Sequence, residues 1–384
     1  MTTEGETMID GNRLVLIEEG PRRLSTLLDL IDGAQASLCL YYYIFATDPV
    51  AERVRDALVA ALHRGVAVTL MIDGFGSGST PDVFFEGFVG AGGRLGRFGT
   101  RRSTRYLIRN HQKMAIADGR RAVVGGFNVE QGYFADGGDR LGWCDLALCV
   151  EGEAVAHLQQ WYDGLARWVL DGEQGFRTLR RLIRDWRPGR GSLQWLMGGP
   201  TRHLNGWVRA VKADLEHGSR LDMIAAYFSP GRGMLRRITR IARRGDARLI
   251  VPLRSDNSMT IGAARHLYHR MIRRGVRLYE YECCKLHMKL IVVDDIVYVG
   301  SANFDKRSLF INVEIMLRIR DAAFADHARQ LVVRREKESR RIDATAYLAM
   351  AGPLARLRWL VSYLLVGVMD YTVTRRLNFR GEPR

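Results

Sequence analysis

Hydrophobic residues in the first part of the chain follow two spacings, one helical and one typical of strands. Apolar side chains recur on one helical face within 22–35, whereas 37–45 is almost continuously apolar and predicts a buried strand. Asp48 can cap a helix that has Pro49 in its first turn, and 66–72 again predicts a strand. Alternating strands and helices are typical of an α/β fold with a mainly parallel sheet.

The same order of elements recurs in the second half, within 220–253. A strand is followed there by Ser229 as the predicted N-cap, by Pro230 in the first turn of a basic helix, and by another strand. The Arg-Gly pair that ends the helix stands at Arg64 in the first half and 180 residues later, at Arg244, in the second. We therefore predict an internal duplication. The predicted fold class is α/β, with two pseudo-symmetric repeats, each a mainly parallel or mixed sheet flanked by helices.

This duplication divides the chain into four segments. The predicted segments are a first repeat over 1–176 with a loose tail over 1–12, a basic amphipathic linker over 177–200, a second repeat over 201–335, and a basic C-terminal segment over 336–384. In the linker, five arginines at helical spacing alternate with apolar side chains. Such a helix suits an anionic bilayer surface, but it can equally dock its apolar side on the protein core.

The C-terminal segment has a second feature that suits a membrane surface. Residues 359–369 form an uncharged run of 11 that follows Arg356 and Arg358. About 20 apolar residues are needed to cross a bilayer, so this run is too short to span one. We predict that 353–373 is either an interfacial anchor or a helix packed on the domain.

Composition narrows the class of partner. The chain has 384 residues with 58 basic and 42 acidic side chains, which gives a formal net charge of +16. This excess predicts an anionic partner, namely nucleic acid, an anionic lipid surface or a phosphate-bearing substrate, although a basic surface can also serve solubility alone. The five cysteines show no zinc-site spacing and suit a reducing compartment. The polar, acidic segment 1–11 predicts no secretory signal peptide.

One short motif occurs twice and carries the predicted chemistry. Each copy has His-x-Lys, four apolar residues, an Asp, and then a Gly-x-x-Asn turn. Its members are His111, Lys113, Asp118 and Asn128 in the first copy and His287, Lys289, Asp294 and Asn303 in the second. Because side chains two apart on a strand share a face, each copy presents an imidazole beside a cation. That pair suits nucleophilic attack on an anionic phosphorus centre.

The doubled motif resembles the HKD signature of the phospholipase D superfamily, and the resemblance extends from about residue 36 to residue 320. It implies a repeat fold of the phospholipase D type with one active site at the interface of the two repeats. The copies differ at one position, where Gly126 in the first matches Ser301 in the second. We therefore expect two half-sites that are not equivalent, with one hydroxyl donor missing from the first.

A carboxylate follows each copy at the start of an apolar strand, Asp145 in the first repeat and Glu314 in the second. The resemblance implies that these two accept a hydrogen bond from a catalytic histidine and fix its tautomer. It also implies that Asp118 and Asp294 belong to the catalytic motif. Their position at strand-ending turns favours instead a role in organising the turn, and the sequence leaves both roles open.

The resemblance implies that the two copies close over one phosphate. His111 is then the nucleophile that forms a phosphohistidine, and His287 is the general acid and base. The predicted substrate-binding residues around the non-bridging oxygens are Lys113, Lys289, Asn128, Asn303, Ser301 and, by its place in the motif, Gly126. No residue cluster calls for a metal, and we predict no cofactor.

The residues around the motifs resemble those of bacterial cardiolipin synthases. This implies transfer of a phosphatidyl group to phosphatidylglycerol at the cytoplasmic face of the cell membrane, by a peripheral protein with no nucleic acid partner. The arginine-rich segment 97–109, with five arginines and no acidic residue, suits an anionic head group or is simply a solvated loop. A phospholipase, a nuclease with the same motifs and a non-catalytic lipid-binding module remain alternatives, and the oligomeric state is left open.

Overall fold

The fold is taken from a computed structural model that describes residues 6–99, 108–135, 142–171 and 175–366. The strands of the first half are β1 (Glu6–Ile9), β2 (Asn12–Ile17), β3 (Ser37–Tyr42), β4 (Ala67–Asp73), β5 (Arg94–Phe98), β6 (Met114–Ala117), β7 (Arg121–Gly125), β8 (Trp143–Cys144) and β9 (Ala147–Glu151). The helices up to the start of the second half are α1 (Gly20–Asp32), α2 (Pro49–His63), α3 (Glu86–Gly90), α4 (Glu153–Leu170) and α5 (Phe176–Asp185).

The second half repeats this series with additions at its end. Its strands are β10 (Leu193–Gly198), β11 (Arg220–Ala225), β12 (Phe228–Ser229), β13 (Asp246–Pro252), β14 (Arg277–Tyr281), β15 (Lys285–Leu286), β16 (Lys289–Val293), β17 (Ile296–Gly300), β18 (Phe304–Asp305), β19 (Glu314–Arg320) and β20 (Ser339–Arg341). Its helices are α6 (Gly206–His217), α7 (Arg232–Arg244), α8 (Ser258–Ile272), α9 (Lys306–Phe310), α10 (Ala322–Lys337), α11 (Ala344–Met350) and α12 (Pro353–Leu364).

The two halves form two sheets that share the order of seven strands, from β2 to β5 in the first and from β10 to β14 in the second, and each has one further edge strand, β1 or β20. The first runs β1-β2-β9-β7-β6-β3-β4-β5 and the second β10-β19-β17-β16-β11-β13-β14-β20. Strands β3, β4 and β5 are parallel, as are β11, β13 and β14, and the neighbours on the other side pair antiparallel. The predicted pair of mixed α/β repeats is confirmed.

The inner faces of the two sheets pack against each other, and this contact creates the interface that holds the motifs. Met114 and Ile116 on β6 share one apolar core with Leu290 and Val292 on β16. The alternate residues of both strands face separate outer cores, which α1 and α2 cover in the first half and α6 and α7 in the second. Since each His-Lys pair stands at the start of β6 or β16, this packing brings the pairs together.

The predicted loose tail over 1–12 is wrong for the residues that are described. β1 and β2 pair antiparallel around Asp10 and Gly11, whose φ angles are 48° and 74°. An Asp-Gly pair between two strands is typical of a tight hairpin turn, because both positions require a positive φ. β2 pairs with β9 as β10 pairs with β19, so the first repeat begins at this hairpin.

Helix starts agree with the sequence in one half and differ in the other. Asp48 caps α2 by accepting a hydrogen bond from the Ala51 N–H at 2.9 Å, as predicted. α7 begins at Arg232 with Gly231 as its N-cap, so Ser229 is not the cap. The reason is that Ser229 ends β12, which pairs with β18 and keeps this stretch extended.

The linker helix α5 docks its apolar side on the protein core, which is one of the two alternatives that the sequence left open. Its apolar side chains Phe176, Leu179 and Ile183 are buried. β10 also lies within the predicted linker 177–200, where it joins the second sheet, so that the second repeat begins before residue 201.

Helix α12 packs on α8 through Trp359 and Ser362, both of which are buried. Its other side is apolar and exposed, with Leu354 at 83% and Leu357 at 58% of full exposure. Residues 367–384, which include part of the uncharged run, lie outside the described residues. In the described part of the chain, no helix is both long and apolar enough to cross a bilayer.

Candidate active site

Each motif histidine lies beside the other half of the molecule. The backbone N–H of His111 donates to the carbonyl oxygen of Val313 at 2.8 Å, and that of His287 donates to Cys144 at 2.7 Å. β15, which leads into the second motif, pairs with β8 of the first half. The backbone of each motif histidine is thus hydrogen-bonded to the residue that directly precedes the carboxylate of the opposite repeat, Glu314 or Asp145.

The histidines and the carboxylates pair across the repeats. His111 Nδ1 lies 3.2 Å from Glu314 Oε2, and His287 Nδ1 lies 2.6 Å from Asp145 Oδ2. The carboxylate side chains are completely buried and both histidines are buried. A carboxylate at Nδ1 leaves Nε2 as the nitrogen that can face a substrate. The site therefore needs both repeats, because each histidine is oriented by the repeat that does not carry it.

The two motif lysines are buried beside their histidines. Lys113 Nζ donates to the carbonyl oxygen of His111 at 2.7 Å and lies 5.0 Å from the centre of the Tyr43 ring. Lys289 Nζ donates to the carbonyl oxygen of His287 and lies 2.7 Å from its Nδ1. The ionised carboxylates Asp145 and Glu314 offset part of the energetic cost of burying these two ammonium groups, and both cations stand where an anionic substrate can meet them.

The electrostatics of the site are set first by burial and then by the two lysines. Burial, reinforced by Lys113, lowers the pKa of His111 to about 4, and burial with Lys289 lowers that of His287 to about 4. Burial also lowers the pKa of Lys289 to about 8 and that of Lys113 well below its usual value. Both imidazoles are therefore neutral at neutral pH in the empty site, as a nucleophile must be.

The two carboxylates stay ionised although burial opposes it. Lys289 and His287 together hold the pKa of Asp145 below its usual value. His111 does the same for Glu314, against the opposing effect of burial. An ionised carboxylate at Nδ1 stabilises the imidazolium that forms whenever Nε2 gains a proton or a phosphoryl group.

The two motif asparagines have different surroundings. Asn128 Oδ1 accepts from the Ile44 N–H at 3.1 Å, and its Nδ2 donates to the Tyr133 hydroxyl at 3.1 Å. Asn303 is equally buried, but its Oδ1 has no hydrogen-bond partner within the described part of the chain. A buried acceptor without a partner is costly, so Asn303 is the asparagine that remains available to a bound molecule.

Ser301 and Gly126 both lie against the orienting carboxylates, and their role as substrate contacts stays a prediction. The Ser301 hydroxyl donates to Glu314 and accepts from the Ile315 N–H at 3.1 Å. At Gly126, an added Cβ would lie 2.4 Å from Asp145 Oδ1. The hydroxyl holds the longer carboxylate in place, and the glycine clears the space that the shorter one occupies.

Asp118 and Asp294 lie away from the histidines, at the far ends of β6 and β16. Both residues have positive φ angles, 54° and 47°. The Asp118 carboxylate accepts backbone N–H bonds from residues 35–37, and the Asp294 carboxylate accepts those of Ser219 and Arg220. This geometry supports their role in the turn, and their inclusion among the catalytic residues stays a prediction.

Aromatic rings line the site and were not predicted as part of it. The Tyr43 ring lies 4.9 Å from the His111 ring, centre to centre. Tyr133 and Trp143 each lie 5.2 Å from His287 in edge-on contact. The three consecutive tyrosines at the end of β3 were the available signal for Tyr43, whereas nothing local marks Tyr133 or Trp143.

The arginine-rich segment 97–109 is described only at its ends. Arg97 is paired with Asp82, with 2.9 Å between Nε and Oδ1, and is therefore occupied. The Arg109 guanidinium stacks on the Phe75 ring at 3.9 Å, close to the start of the first motif. Arg101, Arg102 and Arg105 lie outside the described residues.

Comparisons with known proteins agree with the geometry. A family model described as "Cardiolipin synthase, PLD-like domain" matches residues 27–165 and 212–334. The chain is 30% identical over 323 residues to cardiolipin synthase B of Salmonella typhimurium, which covers 82% of this chain and 78% of that protein. It is 28% identical over 316 residues to a cardiolipin synthase of Geobacillus thermodenitrificans. The match covers 79% of this chain but only 62% of the length of that protein.

Among solved structures, the chain is similar in fold to the crystal structure of phosphatidylserine synthase from Haemophilus influenzae Rd KW20. The TM-score is 0.73, and 94% of this chain and 95% of that chain are covered. Identity is 12%, so this likeness concerns the fold alone.

Proposed function

The chain belongs to the family of cardiolipin synthases with phospholipase D-like domains, and from that premise we propose that it is a phosphatidyltransferase that makes cardiolipin. The donor is a phospholipid, the acceptor is the glycerol hydroxyl of phosphatidylglycerol, and the intermediate is a phosphohistidine. The observation that carries this proposal is the pair of crossed contacts, His111 with Glu314 and His287 with Asp145. Two oriented imidazoles facing one site are what a two-step displacement at phosphorus requires.

In the first step His111 is the nucleophile. Its Nε2 lone pair forms a bond to phosphorus while the bond from phosphorus to the leaving alcohol breaks, and His287 donates a proton to that alcohol. Glu314 accepts the Nδ1–H of His111 and stabilises the positive charge that develops on the ring. In the second step His287 takes the proton of the acceptor hydroxyl, which attacks phosphorus and releases His111.

The first step requires a protonated His287, and the anionic substrate itself favours that protonation by raising the pKa of His287. Burial is the main cause of the low pKa of both histidines in the empty site, and a phosphodiester anion that enters beside Lys113 and Lys289 offsets the second cause, the lysine charge. Asp145, 2.6 Å from Nδ1, supports the imidazolium. The two ammonium groups then hold the negative charge on the non-bridging oxygens. Asn303 can add only the N–H of its Nδ2 to them, because its unpartnered Oδ1 is an acceptor.

We further propose that the protein acts as a peripheral protein at the cytoplasmic face of the cell membrane, with phospholipid and not nucleic acid as its partner. The exposed leucines of α12 stand beside Arg356 and Arg358, a combination that suits an anionic bilayer interface. The net charge of +16 favours the same surface.

The test is incubation of the protein with phosphatidylglycerol vesicles, followed by mass spectrometry of the lipids. Cardiolipin as the product supports the proposed transfer. Phosphatidic acid with little cardiolipin would mean that water is the acceptor and that the protein is a hydrolase. No lipid product, together with cleavage of DNA that vesicles do not inhibit, would replace the proposal with a nuclease.

A further inference from the structure

A second basic site lies outside the candidate active site, between α5 and the segment 201–209. A cavity of about 740 Å³ opens there. Its lining includes six arginines: Arg177, Arg180, Arg181, Arg184, Arg202 and Arg209. His203 also lines it, and no carboxylate does so in the described part of the chain.

The arginines face this cavity because α5 is fixed on its other side. Phe176, Leu179 and Ile183 are buried and anchor the helix to the core, which turns its basic side outwards. Arg184 is paired with its neighbour Asp185 at 2.8 Å. The remaining arginines therefore supply most of the charge that the cavity presents.

Several of these guanidiniums have no acidic partner. Arg177, Arg181, Arg202 and Arg209 are exposed, and within 6–99, 108–135, 142–171 and 175–366 no carboxylate lies within ion-pairing distance of them. Like charges gathered in one concave surface repel one another unless an anion lies between them. Guanidinium groups are well matched to phosphate, which they bind through two parallel hydrogen bonds.

The cavity is at the same edge of the molecule as the candidate active site. Gly198, the last residue of β10, pairs with Glu314 at the start of β19. The segment that follows β10 thus emerges next to the carboxylate that orients His111. Asn205 also ties this segment to α9, since its Nδ2 donates to the Leu309 carbonyl at 2.9 Å.

We propose that this cavity binds the head-group phosphates of anionic phospholipids in a bilayer and so holds the active-site edge against the membrane. The proposal rests on the proposed function, in that the substrate is a membrane lipid. A bilayer is favoured over a soluble phosphate because Leu204 stands among the basic residues with 37% of its surface exposed. An apolar side chain amid arginines suits insertion between lipid head groups.

The experiment compares two triple variants of equal charge. Arg181→Gln/Arg202→Gln/Arg209→Gln removes three exposed arginines of the cavity. The control, Arg243→Gln/Arg273→Gln/Arg274→Gln, removes three exposed arginines at the opposite ends of the strands, one in the last turn of α7 and two directly after α8. Sedimentation with vesicles of phosphatidylglycerol and phosphatidylcholine should show about 100-fold weaker binding for the cavity variant, since each basic residue near an anionic surface contributes a factor of about five. The control variant should lose much less.

Further measurements separate this site from the chemistry and from other anions. Both triple variants should cleave a soluble phosphodiester at the wild-type rate. If the wild-type protein binds vesicles through the cavity but forms no lipid product, only the proposed function is refuted. Leu204→Ser should weaken vesicle binding several-fold at unchanged charge. Equal vesicle binding by the two triple variants would overturn the proposal. The proposal would also be overturned if the cavity bound glycerol 1-phosphate or an oligonucleotide more tightly than vesicles, and if Leu204→Ser did not change that binding.

Discussion

The two half-sites share a backbone plan but hold their histidines differently. His287 Nδ1 lies 2.6 Å from Asp145 Oδ2 and can donate its hydrogen to it. Lys289 Nζ lies 2.7 Å from the same nitrogen, which cannot also accept a hydrogen bond in that tautomer. His111 lies 3.2 Å from Glu314, and its lysine bonds only to its backbone oxygen among the contacts described. The duplicated fold therefore holds His287 more closely to its carboxylate than His111. The closer contact suits a proton donor that must keep one orientation.

The difference continues in the groups that support each carboxylate. Asp145 occupies space that Gly126 leaves open, whereas Glu314 is longer by one methylene and is held by the Ser301 hydroxyl. The second arrangement cannot be introduced into the first repeat by replacing Gly126 alone, because a serine there would collide with Asp145. Duplication thus preserved the position of the carboxyl group while the residues that place it diverged.

The largest effect is expected from the histidines themselves. His111→Ala and His287→Ala should each lower lipid transfer by about 10⁴-fold or more, since each performs a step that the other cannot. A substrate with a good leaving group separates the roles, because it needs no proton from His287. With a ³²P-labelled nitrophenyl phosphodiester, His287→Ala should still form a labelled phosphohistidine, and His111→Ala should form none.

The same labelling experiment can reverse or remove this assignment. Label that persists in His111→Ala and disappears in His287→Ala would make His287 the nucleophile. Near-normal lipid transfer by either variant would show that the two half-sites do not share one reaction.

The second largest effect is expected at Gly126. Gly126→Ala places a Cβ 2.4 Å from Asp145 Oδ1, too close for the carboxylate to stay in place. The displaced carboxylate should lower kcat by about 10²-fold or more, as loss of an orienting carboxylate does. Ser301→Ala removes one hydrogen bond to the Glu314 carboxylate and should cost about tenfold. Steady-state kinetics of the two variants would measure the difference between the halves.

Gly87→Ala is the matched control, because an added Cβ there meets no atom within 4 Å. It should leave both kcat and the melting temperature near wild type. If Gly126→Ala melts like wild type and retains full kcat, Asp145 does not need the space that the glycine provides.

The sequence predicted the components of this site better than their arrangement. Duplicated motifs, the strand–helix–strand order and both carboxylates are local patterns, and the fold confirms the repeats that carry them. The crossed pairing depends on residues more than 140 positions apart, as with His287 and Asp145, and on the packing of the two inner sheet faces. No local spacing records such contacts, so the partners of Ser301, the aromatic wall at Trp143 and the cavity beside α5 emerged only from the fold.

A third expected effect concerns the pH dependence of the two lysines. Burial lowers the pKa of Lys289 to about 8, so the cluster of Lys289, His287 and Asp145 loses a proton as the pH rises through that value. The kcat/KM for a lipid in detergent micelles should therefore fall about tenfold per pH unit above about pH 8. Lys289→Arg should move this decline to higher pH, because a guanidinium keeps its proton.

Lys113→Arg is the comparison from the other half-site. Burial also lowers the pKa of Lys113 well below its usual value, so Lys113→Arg should lower the rate and remove only the part of the basic limb that reports loss of the Lys113 proton. The part that reports the cluster of Lys289, His287 and Asp145 should stay. A limb that moves in Lys113→Arg and stays in Lys289→Arg would exchange the roles assigned to the two halves.

The smallest effect on catalysis is expected at Asp118, although its motif position suggests a catalytic role. Its carboxylate accepts three backbone N–H bonds from residues 35–37, and its φ of 54° is one that Asp and Asn tolerate better than Ala. Asp118→Ala should therefore lower the free energy of unfolding by about 1–3 kcal/mol and leave kcat/KM within about twofold of wild type. Asp118→Asn, which keeps an acceptor and tolerates the positive φ, should recover part of that stability. If Asp118→Ala melts like wild type but loses more than tenfold in kcat/KM, Asp118 takes part in the reaction, as its place in the motif implies.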